Sequence, residues 1–315
     1  VLNTPGGAGG SVSLSVGGVF SSQGNVSLTG GYGGLGGGFM NSPGGAGGTV
    51  SLSVGGDFSS QGNVSLTGGN GGVGIGSPGG AGGDVSLSVG GDFSSQGNVS
   101  LIGGRGGDSN NILGGAGGNA VLRAASVTVG GTLSLTSGAE GFGMHIPDGG
   151  AGGAARLEAG SLYAPAIALT KEDGDLRFSV GTLRVKQGTT LAVTNTSAAD
   201  IAIKTLAFDL TGARSGATML DISGNGRVDI LSSGMRMGLA GGGSALPTGY
   251  NVILINDQST QPLSGGTAPA ALRAQQGVSL LYDFALTQGF DTVTATLSGG
   301  PYVNPQTKAL AEGRV

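Results

Sequence analysis

From Ser11 the chain alternates small polar and branched apolar residues: Val12, Leu14 and Val16 fall on one side, Ser11, Ser13 and Ser15 on the other. Val26 and Leu28 repeat the alternation against Ser27 and Thr29. A period of two predicts short strands with one buried face. Gly17-Gly18 and Gln23-Gly24-Asn25 separate them, and these are turn formers. The block then recurs almost unchanged from Thr49 to Thr67 and from Asp84 to Ile102.

The recurrence decides the architecture. Gly-Gly-Ala-Gly-Gly starts at Gly6, Gly44, Gly79, Gly114 and Gly149, with spacings of 38, 35, 35 and 35 residues. A fixed period of that length marks an array of one unit, because a lone short strand cannot bury its apolar face and stacked copies can. The chain is therefore predicted to be all-β: a right-handed parallel β-helix with about three strands per coil. Each coil would add about 4.8 Å, the spacing of paired strands. Phe20, Phe58 and Phe93 occupy equivalent positions and are expected to stack in the core. Asn25, Asn63 and Asn98 are expected to form a second ladder through side-chain amides bonded between coils. Outward, the register predicts polar rows built from Ser13, Ser15, Ser27 and Thr29, then Ser51, Ser53, Ser65 and Thr67, then Ser86, Ser88 and Ser100.

The Gly-rich tracts at 30–48, 68–83 and 103–118 are expected to leave the coil as loops and return. Two readings stay open: loops stacked into a ridge, which glycine permits by letting backbones approach closely, or surface loops without a role. After Gly153 the repeat blurs. Strands are expected at 154–159, 166–169, 175–180, 182–185, 190–194, 201–210, 218–222 and 227–231, as irregular coils with shorter loops. Tyr250–Ile255 is a strongly apolar strand, and Val278–Leu286 with Asp291–Leu297 predicts a hairpin across 287–290. Antiparallel strands would close a solenoid end that otherwise exposes unpaired backbone. The expected organisation is a repeat β-helix over 1–160, irregular coils over 161–240 and a hairpin cap over 241–300.

Composition sharpens this. The chain has 72 Gly in 315 residues, but Gly does not recur every third residue throughout, which excludes collagen. Charged residues make up 10% and the net charge is −4, so Ser, Thr, Asn and Gly must supply the polar surface. Fourteen scattered basic residues argue against a nucleic-acid partner. There is no Cys, hence no disulfide framework. No secretory signal is visible and residue 1 sits beside a repeat, so the sequence is expected to begin inside a longer protein. No run of about 18 apolar residues predicts a membrane helix.

Candidate chemistry is sparse. Gly79-Gly-Ala-Gly-Gly-Asp84 resembles the start of a calcium-binding nonapeptide, but Ser86 stands where an apolar residue is required and the period is 35 rather than nine. Asp57 and Asp92 are equivalent and would lie about 5 Å apart on adjacent coils. A close carboxylate pair suits glycoside hydrolysis or a cation, whereas outward solvated charges need no role. Lys171-Glu-Asp-Gly-Asp175 reads as an exposed turn, with a metal or ligand contact as the alternative. His145 is the only histidine and no Cys or Ser–carboxylate pattern accompanies it, so it reads as a surface-loop residue. Tyr32 and Arg105 decorate the Gly tracts as possible contact residues. The Asn-x-Ser triplets at Asn25, Asn63, Asn98 and Asn195 read as by-products of Asn at turns, while the Ser/Thr rows could accept O-linked sugars. No cofactor is expected, and with 4% aromatics and no Trp a polysaccharide-cleaving enzyme is the lesser alternative.

The end of the chain, Val303-Asn-Pro-Gln-Thr-Lys-Ala-Leu-Ala-Glu-Gly-Arg-Val315, together with Leu206–Arg214 and Leu246–Ile255, resembles the passenger region of Gram-negative autotransporter adhesins. The repeats resemble filamentous-haemagglutinin-type coils more loosely. The resemblance implies an autochaperone-like cap near 241–300, a linker over 301–315 toward an outer-membrane translocator barrel, and export to the cell surface. It carries route and location but no ligand. The expected function is that of an extracellular adhesin binding a host surface or matrix component, or a second copy of itself. The other alternative is a passive structural stalk.

Overall fold

The computed structural model describes residues 4–38, 41–110, 113–143, 150–172, 174–241, 244–260 and 263–311. Half of the chain is strand and 3% is helical, so the class is all-β: a parallel β-solenoid, consistent with a right-handed β-helix. The chain divides into two compact units, Val1–Val180 with Thr194–Ala202, and Gly181–Val193 with Ile203–Val315.

The first unit holds the repeats. Its first three coils carry three strands each, beginning Val12–Val16, Phe20–Ser22 and Val26–Thr29. Equivalent strands follow at Val50–Val54, Phe58–Ser60 and Val64–Thr67, then at Val85–Val89, Asp92–Ser95 and Val99–Ile102. Pairing is parallel and in register: Leu14 lies beside Leu52, which lies beside Leu87. In the fourth coil the first two strands fuse into Ala120–Val129, which pairs with both Val85–Val89 and Asp92–Ser95. Ala124-Ala125 stands there opposite Val89-Gly90-Gly91, one residue shorter than the corner of earlier coils, and the strand turns the corner without a break.

Alternation does what the period implied. Val50, Leu52, Val54, Val64 and Leu66 are all at most 2% exposed, while the Ser between them face outward or lie half-buried. Phe20, Phe58 and Phe93 stack at 5.0 and 4.8 Å between ring centroids, with planes within 12° of parallel. That spacing is set by strand pairing, and it holds the rings in an offset stack. Above them the ladder continues as Val127.

One detail differs from expectation and a second was not anticipated. The Asn ladder bonds through the backbone: the Asn63 amide donates to Asn25 Oδ1, that of Asn98 to Asn63 Oδ1 and that of Thr132 to Asn98 Oδ1, each at 2.8 Å. At this corner no strand ladder is available to those N–H groups, and the side-chain oxygen substitutes for it. Ser60 and Ser95 point inward beside the Phe stack and are buried. Both hydroxyls donate to the Gly62 carbonyl, at 3.2 and 3.0 Å, so the turn itself satisfies them.

The Gly tracts are the larger finding, because they form a second ordered core. In Gly30-Gly31-Tyr32 the Gly30 amide donates to Thr67, its own tract one coil on, and the Gly31 amide donates across to Gly10. The third residue of each triplet turns outward. Three directions in three residues is the symmetry of a polyproline-II-type helix. Two columns result, one of outgoing and one of returning tracts. A continuous zigzag of bonds runs between them, Gly31 to Gly10, Gly48 to Gly31, Gly69 to Gly48, Gly83 to Gly69, Gly104 to Gly83 and Gly118 to Gly104, all at 2.7–2.9 Å. None of these glycines has positive φ. Glycine is required for space: a Cβ on Gly72 or Gly80 would fall on the carbonyl oxygen of Gly34 or Gly45.

In the second unit, parallel coils pair Thr189–Thr194 with Thr218–Gly224 and Ile201–Asp209 with Gly234–Leu239. The strand expected at 227–231 is instead a 3-10 turn, Ile230–Ser232, and Gly234–Leu239 supplies the pairing. At the C-terminal end the direction changes. Leu280–Gln288 and Thr292–Val303 form the expected hairpin, with the turn at 289–291 rather than 287–290. Ala271–Gln276, absent from the sequence expectation, pairs with the first of these, and Asn251–Asp257 pairs with the second. Tyr282 and Phe284 are fully buried beneath this meander, and Tyr282 Oη donates to Gln276 Oε1 at 2.8 Å. Pro305–Ala311 is helical.

Candidate interaction surface

Two kinds of outward position occur on the repeat coils, and both follow from local structure. The strands supply the expected hydroxyl rows. Ser13, Ser51 and Ser86 are register partners, as are Ser15, Ser53 and Ser88, and Ser27, Ser65 and Ser100. Thr29 and Thr67 align, but Ile102 takes the next place and is 39% exposed. The two rows on the first strand stop after the third coil, whereas the third row continues from Ser100 to Ser134. Val121 and Arg123 follow Ser86 and Ser88, and Arg123 pairs with Glu158 of the next coil at 3.0 Å.

The Gly columns supply the second kind. In the returning column the third residue of the first triplet is Ala8, Ala46, Ala81, Ala116 and Ala151, all exposed, and that of the second is Ser11, Thr49, Asp84, Asn119 and Ala154. In the outgoing column it is Tyr32, Asn70, Arg105 and Ala139, and one triplet further on Leu35, Val73, Asp108 and Phe142. Successive members are bonded neighbours: Gly33 donates to the Asn70 carbonyl, Gly71 to Arg105 and Gly106 to Ala139. Tyr32, Leu35 and Phe142 are 74%, 70% and 70% exposed. The Arg105 guanidinium lies 5.1 Å from the Phe142 ring centre and bonds Asp108 at 2.6 Å. Asp108 Oδ1 also accepts the Phe142 amide, and Asn70 Oδ1 the Arg105 amide, each at 2.9 Å. Four side chains are thus fixed on a rigid backbone platform. Tyr32 and Arg105 stood out in the sequence, but Leu35, Val73, Asp108 and Phe142 did not. Their signal was the three-residue spacing inside the Gly tracts.

The carboxylate candidates are tied into the framework. Asp57 Oδ1 accepts the Asp92 amide at 2.9 Å, and Asp92 Oδ1 accepts the Ser126 hydroxyl at 2.7 Å. Asp84 Oδ1 takes both the backbone and side-chain N–H of Asn119. Lys171 Nζ reaches Asp200 at 3.3 Å. Burial raises the Asp200 pKa, but the Ser197 amide and hydroxyl and the Lys171 charge outweigh it, and the carboxyl titrates below its usual 3.8. Among the described residues no three His, Cys, Asp or Glu side chains converge as metal ligands. His145 and Asp173 lie outside the described residues.

No protein-family model, characterised protein or solved structure matches this chain.

Proposed function

We propose that the chain is the exported, surface-displayed part of an adhesin and works by presenting repeated contacts along a stiff axis. One observation carries the reading: outward side chains recur in register, coil after coil, on a scaffold whose interior is closed by apolar packing on one side and glycine on the other. Repetition converts weak contacts into firm attachment when several engage together. Low charge and the absence of Cys suit a chain that crosses an envelope before folding, and the resemblance of its C-terminal end to autotransporter passengers supports the same route. On this reading the partner is a host surface, a matrix component or a second copy of the chain, and a barrel in the outer membrane delivers it.

The test is attachment and clumping by cells displaying the chain with Thr49–Gly118, two full repeats, removed and the C-terminal meander kept. Attachment should fall by at least tenfold with surface display unchanged. Undiminished attachment refutes the reading and leaves a passive spacer.

A further inference from the structure

Three nearly identical repeats provide a comparison inside one chain. Over the strand block they differ at few places: Ser11, Thr49 and Asp84; Val19, Asp57 and Asp92; Thr29, Thr67 and Ile102. In the returning Gly column the outward position between the two Gly-Gly pairs is alanine every time, although the outward position after the second pair varies as Ser11, Thr49, Asp84, Asn119 and Ala154. In the outgoing column it changes character in every coil, from Tyr32 to Asn70 to Arg105, and from Leu35 to Val73 to Asp108. Both columns have the same backbone and the same need for glycine at the other two positions. Alanine therefore satisfies the fold at this position, and the larger residues answer to something else. Repeat proteins place binding surfaces where a constant scaffold carries varied side chains.

We propose that the outward face of the outgoing Gly column is a binding site for an uncharged oligosaccharide chain. The proposal rests on the display reading above and names its partner. Three features select this class. Tyr32 and Phe142 are largely exposed, Phe142 with the Arg105 guanidinium over one face, and exposed rings suit the C–H faces of pyranose rings. Asn70 and the Arg105–Asp108 pair add hydrogen-bonding groups between them, and their side-chain carbonyl and carboxylate oxygens are already pinned to backbone amides. The face is also neutral, because Arg105 is compensated by Asp108, so nothing draws a polyanion. The dimensions agree: coils advance by about 4.8 Å, close to what one hexopyranose adds to an extended chain. The platform is backbone-bonded, so little ordering accompanies binding.

The experiment uses the full chain and its Tyr32→Ala/Phe142→Ala variant, with Ser51→Ala/Ser86→Ala as the control on a hydroxyl row. Alanine already stands at Ala139, the position equivalent to Tyr32, and Phe142 is largely exposed, so folding is kept, and an unchanged melting temperature verifies this. Titration calorimetry with malto-, cello- and chitohexaose and with a heparin hexasaccharide reads the site. At least one neutral hexasaccharide should bind, at least tenfold more weakly to the Tyr32/Phe142 variant and equally to the control. No neutral binding, preference for heparin, or equal binding by both variants overturns the site. In parallel, cell attachment of the intact chain that neither the variant nor free hexasaccharide reduces refutes the saccharide and spares the adhesive role. A chain that binds hexasaccharide yet attaches to no cell refutes the adhesive role and sustains the site.

Discussion

The strand walls and the Gly double layer belong to the same coils and solve the same problem by opposite means. The walls hide side chains: Leu52, Leu87, Phe58 and Phe93 are at most 1% exposed, and their burial drives the packing. The double layer has almost no side chains to hide. Its interior is mainly peptide groups, with glycine amides given to one of two neighbours at 2.7–3.2 Å and a few buried serines, Ser42, Ser77, Ser109 and Ser137, beside them. A wall position asks for an apolar residue of about the right volume. A Gly-layer position asks for hydrogen at two of every three residues and accepts almost anything at the third. One region is robust in its core and plain at its surface; the other is brittle in its core and free at its surface.

The largest effect should come from breaking that brittleness. Gly80 donates to Gly72 and accepts from Gly107, both at 2.8 Å, and any Cβ there meets the Gly45 carbonyl. The obstacle is backbone held on every side, so it cannot swing away. Gly80→Val should cost more than about 3 kcal/mol, beyond the usual range for overpacking. Limited proteolysis should then cleave the tracts at 68–83 and 103–118 first. A variant that melts like the parent would mean the columns are not packed as described.

Phe58→Ala tests the wall. It removes the middle ring of a three-ring stack and should cost about 3–5 kcal/mol, with Phe58→Leu costing under half as much. Thermal unfolding followed by circular dichroism measures both. Equal losses for Ala and Leu would show that the stack geometry, rather than buried volume, matters most.

At the corner the two regimes meet, and a side chain stands in for a strand. Asn63→Ala deletes the acceptor for the Asn98 amide. The site is exposed, so water partly compensates, and the loss should be about 0.5–1.5 kcal/mol. Asn63→Asp keeps an acceptor oxygen and should lose less. Denaturant midpoints rank the three chains, and an Asp variant as weak as Ala would contradict the ladder.

Beyond the Gly layer the same unit relies on charge. The folded pKa of Asp200 is depressed, so its contribution is complete above the unfolded value of 3.8 and fades as pH falls through the lower folded one. Melting temperature should drop below about pH 4, and Asp200→Asn should flatten that acid limb while lowering stability near neutrality. An unaltered acid limb would assign it to other carboxylates.

The walls were legible in the sequence because period-two alternation has one physical meaning when it recurs every 35 residues. The spacing alone puts Phe20, Phe58 and Phe93 beside one another. The Gly tracts were legible as a place but not as a structure. Glycine ordinarily signals freedom, and only the third residue, Ala46 or Arg105, betrays that the other two are confined. The C-terminal meander was half visible: its hairpin follows from alternation, whereas Ala271–Gln276 reads Ala-Leu-Arg-Ala-Gln-Gln, with only Ala274 and Gln276 buried. The inward placement of Ser60 and Ser95 was not legible for a related reason, since nothing in the local sequence shows that the turn satisfies a buried hydroxyl.

The smallest expected effect is the most specific to the Gly layer. Ala81 projects outward from the returning column, between Gly80 and Gly82, whose own Cβ positions are blocked by backbone. Ala81→Lys adds a long charged side chain within one bond of residues that accept none. In an ordinary tight core that proximity would be felt. Here the three-residue period turns the side chain into solvent, and stability should change by less than about 0.5 kcal/mol. The denaturant midpoint reads it directly against Gly80→Val. A Lys variant that loses stability comparably would mean the columns do not keep a three-residue period, and the separation of inward glycine from outward side chain would fail with it.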